Sequence, residues 1–143
     1  MAALSALTDI KDGIKARLKT ITAIREVYLQ PMDTQSQIEL PVVELITDSV
    51  EYPVAIGGAH FRGTIRARLF VNAIGAQEAY GALDEFLDPS GTNSILAAIE
   101  GDDTVGGKAD QVVVIRAEGI GGEELNGQRI YSVDFLMDFV KTA

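Results

Sequence analysis

The stretch "TIRARLFVN", Thr64 to Asn72, alternates its side chains in a way that suits an extended backbone. Successive residues of a strand point to opposite faces. Ile65, Ala67, Leu69 and Val71 therefore go to one side, and Thr64, Arg66, Arg68 and Phe70 to the other. The first set is wholly apolar and requires cover. The second mixes two cations with one aromatic ring. This strand belongs to a sheet with one covered face and one face of a different kind.

The same division returns in "RIYSVDFLMDFV", Arg129 to Val140, where Tyr131, Val133, Phe135, Met137 and Phe139 face one way. Ser132, Asp134, Leu136 and Asp138 face the other. Runs rich in β-branched residues at Val42–Tyr52 and Gln111–Glu118 read as further strands, and Arg25–Gln30 as a short one. Asn126-Gly127, between the last two long strands, is a strong hairpin signal. Pro31–Pro41 reads as a polar connection, and Pro53–Gly63 as a loop or hairpin tip.

Helical spacing appears elsewhere. Leu4, Leu7, Ile10, Ile14, Leu18 and Ile21 lie on one face of a helix over about Leu4–Thr20, with Lys11, Lys15 and Lys19 on another face. Gly13 inside that helix costs about 1 kcal/mol against Ala on propensity alone. Gly75–Leu87 reads as a second helix with Ala76, Tyr80, Leu83 and Leu87 on one stripe, and Ser94–Glu100 as a short third. The segment Asn72–Gln111 is long enough to cover one face of the sheet, and short connections favour antiparallel neighbours. The expected fold is α+β: a largely antiparallel sheet of four to five strands with helices on one face, in a single domain over residues 1–143.

Composition narrows the chemistry. The chain has 143 residues, 47% hydrophobic and 23% charged, with no cysteine and a net charge of −9. Thiolate chemistry and disulfides are excluded. The acidic balance opposes general phosphate-backbone binding, which requires excess Lys and Arg. No apolar run reaches the roughly 20 residues needed to span a bilayer, and no basic region precedes an apolar stretch at the N-terminus, so a soluble chain without a secretory signal is expected.

The stretch "LDPSGTNSILAAIEGDDTVGGKAD", Leu87 to Asp110, invites a phosphate or metal reading, and its residues refuse both. Gly107-Lys108 is followed by Ala109, where a P-loop needs Ser or Thr, and Asp102 stands at the first glycine position. The acidic residues lack the alternation of a calcium loop. His60 is the single histidine, which excludes a histidine-based zinc site within one chain. It lies near no Gly-x-Ser-x-Gly elbow. Helix capping accounts for the stretch. Asp88-Pro89-Ser90-Gly91 forms a turn, Thr92 or Asn93 caps the third helix, Ile95, Leu96 and Ile99 form its apolar edge, and Gly101 ends it in the left-handed conformation. No catalytic, cofactor-binding or metal-binding residue is expected, and the chain reads as no enzyme.

The order and spacing of these elements resemble a known family. An opening helix of "LTDIKDGIKARL" type, the segment "TIRARLFVNAIGAQEAYGALDEFLDPSGTNSILAAIE" with its Ala79-Tyr80 pair and Leu87–Ala98 pattern, and the closing "RIYSVDFLMDFV" are similar to the tail terminator proteins of long-tailed bacteriophages and related prophages. The resemblance implies a virion protein of the neck, assembled in the host cytoplasm. Such a protein forms a homo-oligomeric ring, usually a hexamer, that caps the tail tube and stops its polymerisation. Its partners would be other copies of itself, the major tail tube protein and the head-side connector, with DNA only passing through the lumen and no membrane involved. Another neck protein, a stopper or tail-completion protein, is the alternative, followed by an acidic inhibitor or DNA mimic.

On the strand faces opposite the apolar sets, Arg66, Arg68, Phe70 and Asp134 are the expected subunit contact. A monomeric sheet covered on one face would leave all four in water, so cover over Phe70 and Leu136 is expected from a neighbouring subunit or the tube.

Overall fold

The structure is a computed structural model that describes residues 6–29, 41–52, 60–72, 76–125 and 128–142. The elements in chain order are α1 (Ala6–Leu18), β1 (Glu26–Tyr28), β2 (Val42–Glu51), β3 (His60–Asn72), α2 (Ala76–Leu87), α3 (Ile95–Glu100), β4 (Gln111–Leu125) and β5 (Gln128–Thr142). The five strands form one sheet in the order β1-β2-β3-β5-β4. The α+β architecture and the mostly antiparallel sheet are as expected from the sequence. One pairing departs from that expectation: β1 runs parallel to β2, with Val27 opposite Val43. The 13 residues between the two strands are enough for a crossover, so the short-connection argument for antiparallel pairing does not apply there.

The two strands that signalled the sheet sit side by side at its centre. Ile65 pairs with Met137, Ala67 with Phe135, Leu69 with Val133 and Val71 with Tyr131. All eight are at most 5% exposed, so the helix-covered face has the register that alternation predicted. Against them pack Ile10, Ile14 and Leu18 of α1, Ala79, Leu83 and Phe86 of α2, and Ile95, Ala98 and Ile99 of α3. The stripe of α2 is therefore rotated from the expected one. Tyr80 is 42% exposed and leans edge-on against Tyr131, with ring centroids 5.6 Å apart. Ala79, Leu83 and Phe86 recur at four- and three-residue steps and share the core face, with Leu87 partly buried beside them.

Strand lengths also differ. β3 begins at His60, so 60–63 extend the strand instead of closing a loop, while 53–59 lie outside the described residues. β4 runs on to Leu125, which pairs with Gln128, and the Asn126-Gly127 turn lies outside the described residues. So do Gln30, the last residue of the expected short strand, and 31–40 of the expected polar connection.

The capping of α3 holds in kind but moves by one residue. Ser94 is the N-cap, its Oγ accepting from the Ala97 N–H at 3.0 Å, while Asn93 donates to Glu85. Gly101 is right-handed, at φ −62°, and not left-handed as expected. The Arg17 guanidinium lies where a Cβ on Gly101 would stand, and Arg17 Nε donates to the Ala98 carbonyl at 2.9 Å. Gly101 still caps the helix, its N–H donating to the Ala97 carbonyl at 3.0 Å, but the contact with α1, and not a left-handed conformation, calls for glycine there.

Candidate functional site

The stretch that invited a phosphate or metal reading closes on itself. Asp102 accepts from the Thr104 hydroxyl at 2.7 Å and from the Thr104 and Gly106 N–H groups at 3.2 and 2.9 Å. These bonds, the Thr104 hydroxyl foremost, hold the Asp102 carboxyl below the usual carboxylate range. Among the described residues no group of three or more His, Cys, Asp or Glu is arranged to hold a metal ion, and no helix is long and apolar enough to cross a membrane.

The face of the sheet away from the helices carries the densest polar arrangement among the described residues, and β3 organises it. Three rows cross the strands in register. Val42, Phe70 and Ser132 form the first. Glu44, Arg68, Asp134 and Glu118 form the second, and Ile46, Arg66, Leu136 and Arg116 the third. Arg66 Nη1 lies 2.7 Å from Asp134 Oδ2, and Arg68 Nε lies 2.9 Å from Asp134 Oδ1, so one carboxylate bridges two guanidinium groups. Arg66 also reaches Asp48 at 3.2 Å and Glu118 at 3.9 Å, and Arg68 lies 3.8 Å from Glu44. Asp134, then Asp48, raises the pKa of Arg66 above its ordinary value.

Arg66, Arg68, Phe70 and Asp134 are thus brought onto one patch. The expectation that a single chain would leave them in water is overturned. Asp134 is 8% exposed, Phe70 4% and Leu136 5%. The chain itself covers the apolar members, so no neighbour is needed to bury them, and Arg66 and Arg68 keep the accessible part of the patch. Three-way pairing explains how a carboxylate stays buried here: both its oxygens are hydrogen-bonded to cations, which offsets desolvation. Asp134→Ala should lower unfolding free energy by about 1–2 kcal/mol, because both arginines keep weaker partners and solvent. Asp134→Asn, which retains one acceptor, should cost less. Urea denaturation of the two variants checks the order.

A second surface was missed in the sequence. β4 is an edge strand, and it is bulged twice. Ile115 is an extra residue between the pairs Val114–Met137 and Arg116–Leu136. Another extra residue falls between Glu118–Asp134 and Gly121–Ser132, where Gly119 takes φ +70° beside Ile120. Both bulges turn an isoleucine outward: Ile115 is 50% exposed and Ile120 46%. Val113 and Val140 add two more exposed aliphatics near one end of the hairpin. Ile115 also lines a shallow cleft of about 150 Å³ with Leu87, Leu96, Val114, Ala117 and Phe135. The signal in the sequence was "VVVIRAEGIGG", where apolar alternation breaks at Ile115 and again at Gly119.

No protein-family model matches the chain, and no curated protein is significantly similar to it.

Proposed function

We propose that this protein is a structural component of a bacteriophage neck, a tail terminator that assembles as a ring, caps the tail tube and presents a second surface to the head-side connector. The observation that supports this best is the β4 edge. A 15-residue edge strand displaying Val113, Ile115 and Ile120 is an exposed apolar surface of the kind that marks protein–protein contact. It borders a five-stranded sheet whose second face carries an Arg–Asp–Glu lattice with Arg66 and Arg68 accessible. The chemistry required is complementarity alone: one surface fits the tube end, and the opposite surface does not fit another tube subunit.

The test is to add the purified chain to polymerising tail-tube protein of its cognate phage and measure tube lengths by negative-stain microscopy. Rings at tube ends and a shortened length distribution are expected. Tubes of unchanged length with bare ends would refute the proposal. Because Phe70 is buried and Arg68 neutralises the buried Asp134 and Glu44, the face is probed at the exposed Arg116 by Arg116→Ala, which should fold normally and weaken capping if that face meets the tube.

A further inference from the structure

The charge of the chain is unevenly distributed over its elements. Lys11, Lys15 and Lys19 form one row of α1, and the row packs along β1. Lys15 and Lys19 reach Glu26 at 3.6 and 3.7 Å, and Lys11 Nζ donates to the Leu29 carbonyl at 3.3 Å. Arg25 stands at the start of the same edge, and Tyr28 is 37% exposed on it. The segment that carries α2, α3 and β4 is acidic instead. Residues 76–125 hold eleven of the 21 carboxylates and only Lys108 and Arg116 as cations, an excess equal to the net charge of the whole chain. Glu100 and Asp103 flank a cleft of about 210 Å³ floored by Val112, Val113 and Val114 of β4. An apolar floor between two carboxylates suits a lysine, whose stem packs on aliphatic surface while its ammonium pairs at the rim.

We infer that the β4 edge of one copy receives the α1–β1 edge of a second copy, head to tail, with Tyr28 beside Ile115 and the lysine row against Glu100 and Asp103. This rests on the ring reading above and names its subunit contact. The occupant follows from charge complementarity: the lysine row of α1 lines the β1 side of the molecule, and the Glu100–Asp103 cleft adjoins β4. The two bulges in β4 interrupt any continuous ladder of added backbone hydrogen bonds, so the contact is made by side chains. Joining two different edges is a heterologous contact, which repeats in one sense and closes by rotation.

The cysteine-free sequence allows a clean test. β1 and β4 are the two outer strands of five, about 19 Å apart at the usual strand spacing. A disulfide needs Cα atoms within about 7 Å, so Tyr28→Cys and Ile115→Cys cannot join within one chain. Both positions are exposed, and each variant should unfold at the wild-type temperature. Oxidation of an equimolar mixture of the two single variants should give the mixed dimer, and the double variant should give a ladder that ends in a closed species on native mass spectrometry. Raising salt to 1 M should slow cross-linking several-fold. Homodimers of Ile115→Cys forming as fast as the mixed dimer would overturn the inference. So would equal cross-linking of Ile115→Cys to Tyr52→Cys, a more exposed control, or no cross-linking at all. Tube capping without the mixed dimer would retire this contact and leave the proposed function standing; the mixed dimer without capping would do the reverse.

Discussion

Phe135→Ala should destabilise the domain by about 3–5 kcal/mol and lower its melting temperature by roughly 10 °C or more. Phe135 is 4% exposed on the covered face of β5, and its register partners are both small: Ala67 on β3 and Ala117 on β4. The ring fills the space that these two alanines leave between the sheet and the ends of α2 and α3, where Leu87 and Leu96 lie close by. Neither alanine can extend to fill the void after truncation, so the cavity should persist. Val140→Ala, on the same strand but 39% exposed, is the control and should stay within about 0.5 kcal/mol of wild type. Urea unfolding of both variants measures the difference. A loss below about 1 kcal/mol for Phe135→Ala would mean that the strand is not seated in this register.

Gly13→Ala should cost about 2–3 kcal/mol, although the same change in a free helix stabilises by about 1 kcal/mol. A Cβ on Gly13 would stand 2.2 Å from the Val105 carbonyl oxygen and 2.9 Å from Val105 Cγ2. The oxygen is backbone and cannot rotate away. Val105 is fully buried and held at φ +45°, between the turn that Asp102 ties to Thr104 and Gly106 and the left-handed pair Gly106-Gly107. Helix α1 and this turn must therefore separate to admit a methyl group, which would also strain the Arg17 bond to Ala98. Gly81→Ala in α2 provides the opposite case. Nothing lies within 4 Å of its Cβ position, so that variant should gain up to about 1 kcal/mol. Thermal unfolding of the pair should show shifts of opposite sign, and two shifts of the same sign would refute the packing of α1 on Val105.

What the sequence determined by itself was whatever depends on local period. Alternation in Thr64–Asn72 and Arg129–Val140 assigned the apolar set of each strand to the covered face, because the pleat leaves no other choice once one face must be buried. Helical spacing located α1, α2 and α3 within one or two residues, and it placed the lysines of α1 together on one row. It brought Arg66, Arg68, Phe70 and Asp134 onto one face, since all four were read from the same parity. What only the tertiary structure decided was which contacts those faces make. Gly13 is a propensity defect in a helix read alone and a close-packing requirement once Val105 rests on it. Gly101 is a helix terminator by its position and a clearance for Arg17 in the fold. Phe70 and Asp134 are surface residues on a flat one-sided sheet and buried ones on the sheet that forms. The parallel pairing of β1, the entry of β5 between β3 and β4, and the two bulges that turn Ile115 and Ile120 outward all arise from pairing between segments distant in the chain. No local pattern encodes such pairing, because its energy is set by partners the segment does not meet until the chain has folded.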